Sequence, residues 1–107
     1  MPIINIEYDD EKLKKDEILT LSKAVQKIVS EITNIEDVFV YANSSQIKVK
    51  IAPIEIFINM SAQKIDDEDK LIKEIKANLL NWKKKNHFHH PINLTLIPMK
   101  WKVEIGI

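Results

Sequence analysis

The chain has 107 residues, 45% of them hydrophobic and 30% charged, with 16 basic residues balanced by 16 acids and no cysteine. That length and composition suit one globular domain and leave no room for a second. Zero net charge excludes a general attraction to nucleic acid or an anionic membrane, and the lack of cysteine excludes disulfides, thiolate metal sites and a cysteine nucleophile.

Met1 to Tyr8 contains an acid and no basic segment, and no apolar run approaches the about 18 residues of a membrane span, so a cytoplasmic protein is expected. Pro2-Ile3-Ile4-Asn5-Ile6-Glu7-Tyr8 is rich in β-branched residues and predicts a first strand that ends at Asp9 and Asp10. From about Lys15 to Thr33 the residues Ile18, Leu21, Val25, Ile28 and Ile32 recur at three- and four-residue steps, the spacing of an amphipathic helix. Val38 to Ala42 predicts a second strand. Asn43-Ser44-Ser45 predicts a turn, and Gln46 to Ile51 alternates Ile47, Val49 and Ile51 with polar residues, as a half-exposed strand does.

The pattern restarts at Pro53, which opens Ile54-Glu55-Ile56-Phe57-Ile58. A second helix is predicted from about Asp66 to Lys84, with acids at its start and Lys83-Lys84-Lys85 at its end opposing the helix dipole. Its stripe of Ile72, Ile75, Leu79 and Trp82 repeats the spacing of the first helix. Pro91 opens a fourth strand, Ile92 to Ile97, and the tail from Trp101 to Ile107 alternates as a further short strand does. The chain therefore reads as a single domain, 1–107, with one repeat at about 2–51, a second at about 53–98 and a C-terminal strand at 101–107. Right-handed crossovers put both helices on one face of a mixed sheet. The other face is left bare, and self-association is the natural way to cover it.

Met1-Pro2 at the head of a strand, within two β-α-β halves of this size, resembles the tautomerase and macrophage migration inhibitory factor superfamily. Pro53-Ile54-Glu55-Ile56 and Leu94-Thr95-Leu96-Ile97-Pro98-Met99 bring it closest to a small uncharacterised bacterial branch. The resemblance implies an α+β fold with a four-stranded mixed sheet, two helices on one face and an extra C-terminal strand, assembled as a homotrimer. It also implies an isomerase that needs no cofactor. In the family the initiator methionine is removed and the freed proline amine is the general base of keto-enol tautomerisation, which assigns that role to Pro2. Apolar surroundings suit the task, because they disfavour the charged amine and pull its pKa toward neutrality. In the family, polar positions of the fourth strand face a neighbour's proline, and the resemblance implies that place for Asn93 and Thr95, both able to donate to an enolate oxygen.

Several family members clamp a substrate carboxylate with arginine, and all sixteen basic residues here are lysine. The second-strand arginine of those members falls near Phe39. A point charge in place of a planar fork predicts a small-molecule substrate that is a monocarboxylate or uncharged keto-enol, with Lys12, Lys14 and Lys64 as candidate anion contacts. Two alternatives stay open. Proline also opens strands where its missing N–H does no harm, and the fold can serve as a non-catalytic homotrimeric binding or scaffold protein. His87-Phe88-His89-His90 matches no standard zinc spacing, so no metal is assigned to it and a solvated loop is expected. No membrane or nucleic-acid partner is expected.

Overall fold

A computed structural model describes residues 1–107. Strand β1 (Ile3–Tyr8) is followed by helix α1 (Lys15–Thr33) and strand β2 (Phe39–Asn43). Strand β3 (Ile54–Ser61), a short 3-10 turn (Ala62–Lys64), helix α2 (Glu68–Lys85) and strand β4 (Asn93–Met99) form the second half. The sheet order is β2-β1-β3-β4. Within each half the two strands are parallel, and the halves meet where β1 and β3 run antiparallel, with Asn5 opposite Phe57. The expected mixed four-stranded sheet with two helices is the observed architecture.

Both helices cover the same sheet face. Ile4 and Ile6 of β1 and Ile54, Ile56 and Ile58 of β3 share one buried cluster with Leu21, Val25 and Val29 of α1 and Ile75 and Leu79 of α2. Strand alternation supplies this face: every second residue of β3 from Ile54 to Met60 is buried. Helix α1 starts where Lys14 N–H is accepted by Glu17 Oε1 at 2.9 Å, and stops at Asn34, whose φ of 55° is the left-handed conformation asparagine tolerates. Helix α2 begins where Asp67 accepts from Lys70 N–H at 3.1 Å, two residues after the expected start. Neither helix is long and apolar enough to cross a membrane.

The predicted strand at Gln46–Ile51 does not form. Residues 44–53 leave the outer edge of the sheet and cross the end of β1 to enter β3, so they run across the ladder and have no strand to pair with. Lys48 Nζ is instead bonded to Asp10 and lies 3.6 Å from Asp9, pinning the segment to the β1–α1 loop. Ile47 and Val49 are 89% and 100% exposed as a result. Residues 101–107 form no ladder within this chain, with Trp101 half-buried and Ile105 exposed. The sheet face opposite the helices is uncovered and carries Phe39, Tyr41, Phe57 and Ile97.

Candidate functional site

Pro2 sits at the open end of a central strand. Its ring is fully buried, because it shares the helix-side parity of Ile4 and Ile6. The backbone on either side is held: Phe39 N–H donates to the Pro2 carbonyl at 3.1 Å, and Asn59 Nδ2 donates to the Ile3 carbonyl at 3.2 Å. Phe39 belongs to β2 and Asn59 to β3, so the first peptide units of β1 are tied to both neighbouring strands. Asn59 was not singled out in the sequence. The signal was there, since continuing the alternation of Ile54, Ile56 and Ile58 puts Asn59 on the uncovered face beside Ile3.

The other expected site residues fall at two ends of the molecule. Lys64 follows β3, which runs antiparallel to β1, and therefore shares the Pro2 end of the sheet. It lines a cleft of about 210 Å³ with Ile32, Thr33 and Met60. Lys12 and Lys14 follow the far end of β1. At about 3.3 Å per residue, the six residues of β1 separate them from Pro2 by roughly 20 Å. Asn93 is also at the far end, opposite Glu55, and Thr95 stands opposite Phe57 in the middle of the sheet. Both are exposed on the uncovered face, alternating with Leu94 and Leu96, which pack on the core.

One chain thus does not bring Pro2 together with Asn93. Asn93 itself lines a cleft of about 350 Å³ with Leu79, Leu80 and Ile92, whereas its partner Glu55 lines a separate cleft of about 450 Å³ on the uncovered face, with Glu7, Tyr8 and Phe57 from the strands and Lys50 and Ile51 from the crossing segment. Asn93 Nδ2 donates to Glu55 Oε1 at 2.9 Å. The Glu55 cleft is large enough for a small carbonyl compound.

At the same end, on the helix side, His90 Nε2 is 2.9 Å from Glu17 Oε2. The Glu17 carboxyl is held below its usual range by the Lys14 backbone N–H and then by His90. The histidine loop is therefore partly anchored rather than fully solvated: Phe88 is buried and stacks on Trp82 with centroids 5.3 Å apart. No group of three histidine or acidic side chains is placed to share a metal ion.

This architecture is similar to that of several solved structures. A 5-carboxymethyl-2-hydroxymuconate delta-isomerase superposes with a TM-score of 0.67 at 11% identity, covering 99% of this chain and 89% of its own. The protein MIF2 of Leishmania major gives 0.66 at 14%, covering 99% and 95%. A domain of unknown function from Sebaldella termitidis gives 0.65 at 13%, covering 100% and 98%. The chain has the tautomerase fold. No protein-family model and no curated protein matches the sequence, so the likeness rests on structure. Within the tautomerase fold the first strand of each half is central and the second is an edge, which is why Pro98 is accommodated late in β4.

Proposed function

We propose that the protein is a keto-enol isomerase of a small carbonyl compound, with Pro2 as general base once Met1 is removed. The observation that carries this reading is the position of Pro2: buried at the head of a central strand of a tautomerase fold, with its carbonyl held by Phe39 N–H. Removal of Met1 turns its nitrogen from an amide into a secondary amine. Apolar surroundings are the setting in which an amine serves as a general base, because they disfavour its protonated form.

The active unit in this reading is a homotrimer whose uncovered sheet faces turn inward. Pro2 of one chain then works against the uncovered face of the next, where Asn93 or Thr95 holds the substrate oxygen. Pro2 takes a proton from carbon as negative charge develops on that oxygen, and the proton is returned to oxygen to complete the enol. Lys64 is the anion contact at the Pro2 end, and Lys12 and Lys14 can contribute only across a subunit boundary. With lysine as a point charge in place of an arginine fork, the substrate is a monocarboxylate or uncharged keto-enol of the phenylpyruvate type.

The test is ketonisation of phenylenolpyruvate, which reads the same proton path in reverse. General-base catalysis is worth about 10²- to 10⁴-fold, so Pro2→Ala should remove most of the activity without altering assembly. A form with Met1 retained keeps the ring and blocks only the amine, and should be equally impaired. If both forms turn over as fast as the processed protein, Pro2 is structural and the fold serves as a binding or scaffold trimer.

A further inference from the structure

A second cavity lies on the helix side of the molecule, at the end of the sheet far from Pro2. It is an open hollow of about 530 Å³ between the first turn of α1 and the loop joining α2 to β4. Its lining is aromatic and acidic. Trp82 and Phe88, the histidines His87, His89 and His90, and the acids Asp16 and Glu17 line it, and no lysine does.

These groups are fixed. Phe88, itself buried, stacks on Trp82 and meets His90 edge-on with centroids 5.1 Å apart. Glu17 uses one oxygen on Lys14 N–H and the other on His90, which locks the loop to α1. Lys83, the cation nearest the loop, donates its ammonium to the His90 carbonyl at 2.8 Å. Asp16 uses one oxygen to accept from Glu17 N–H at 2.9 Å, and its second oxygen has no protein donor. His87 has a φ of 51°, an unusual conformation for a residue with a side chain, held by N–H donation to the Lys84 carbonyl.

We propose that this cavity binds a small organic cation of the ammonium class, seated against Trp82 and balanced by the Asp16 carboxylate. An indole ring and a carboxylate in one cavity attract a weakly hydrated cation by its charge on the ring face and by direct pairing. The site owes nothing to Pro2, and an assembly built on the uncovered sheet face leaves it open.

Choline is the probe, titrated into the intact protein and followed by the amide NMR shifts of residues 86–90. Saturable shifts in the millimolar range or tighter are expected. The uncharged compound of the same shape, 3,3-dimethyl-1-butanol, should bind about three- to thirtyfold more weakly, the range of a cation–π contribution. Trp82→Leu should abolish choline binding. Because Trp82 also packs on Phe88, Asp16→Asn on the exposed first turn is the second variant, and it should weaken choline severalfold while leaving the alcohol unchanged. Equal affinity for choline and the alcohol would overturn the proposal, as would the absence of saturable shifts or undiminished binding by Asp16→Asn.

Discussion

Asn93 and Glu55 face each other across β3 and β4, and the Asn93 amide donates to the Glu55 carboxylate at 2.9 Å. The hydrogen bond holds the amide on the uncovered face, and in the proposed reaction its second N–H would meet the substrate oxygen. It also puts a negative charge next to where an enolate would form. Asn93→Ala should therefore lower kcat/KM for phenylenolpyruvate by about 10²- to 10³-fold, the usual cost of one oxyanion donor. Glu55→Gln should raise kcat/KM, since it removes the repulsion of the developing charge and keeps the hydrogen bond. Asn93 is exposed, so its loss should leave the unfolding midpoint almost unmoved. Steady-state kinetics decide the matter: an Asn93→Ala enzyme of normal kcat/KM would shift the role to Thr95.

Assembly is checked by light scattering. Phe39 and Tyr41 are 43% and 55% exposed on the uncovered face of a single chain, which also carries Ile3 on β1 and Phe57 on β3. Burying such a face stabilises by about 25 cal/mol per Å² of apolar surface, and a homotrimer at micromolar concentration is the expected state. Truncation after Met99 removes Trp101, Val103 and Ile105 and should dissociate or unfold the protein. A truncated chain that stays an intact oligomer would show that the tail makes no subunit contact.

The core prediction is simpler. Ile56 is wholly buried at the centre of β3, between Ile6 on β1 and Leu94 on β4. Ile56→Ala should destabilise the fold by about 2–5 kcal/mol, read as a lower denaturant midpoint at constant slope. A loss below about 1 kcal/mol would mean that the surrounding isoleucines collapse into the space.

Much of this architecture was legible because short-range pattern and long-range packing agree. The steps from Ile18 to Val25 marked the buried face of α1 and its limits, and the two proline-opened halves gave the strand and helix order. What failed was the alternation of Ile47, Val49 and Ile51, because a strand needs a neighbouring edge as well as a pattern and the chain crosses the end of β1 there. The candidate site was only partly legible. Pro2 and Asn93 could be named from resemblance, but Asn59 and Glu55 act through cross-strand register, which one strand's sequence does not reveal. The pairing of Glu17 with His90 joins residues 73 positions apart and left no local signal.

Lys48 gives the last prediction. It is bonded to Asp10 and close to Asp9, and so holds the 44–53 segment whose Lys50 and Ile51 wall the cleft beside Glu55. The Lys48 hydrogen bond lowers the Asp10 pKa below 3.8, and the same contact raises the Lys48 pKa above 10.5. Because the Asp10 value is lowered on folding, its contribution is fully present above about pH 4 and is lost as pH falls through the lowered value. The Lys48 contribution has the opposite sense, present below about pH 10 and lost as pH rises through the raised value. The clamp is therefore complete across the neutral range and opens at both extremes. Lys48→Met should make the segment open at pH 7, with lower hydrogen-exchange protection around residues 44–53 and a raised KM. The helices should be unaffected, and the melting temperature should barely change, since Asp10 is half-exposed and solvent screens such pairs. Wild-type protein taken below the lowered Asp10 value should show the same local loss of protection, corrected for intrinsic exchange. Equal protection of the segment in Lys48→Met and wild type at pH 7 would mean that the backbone, and not the ion pair, fixes this wall of the cleft.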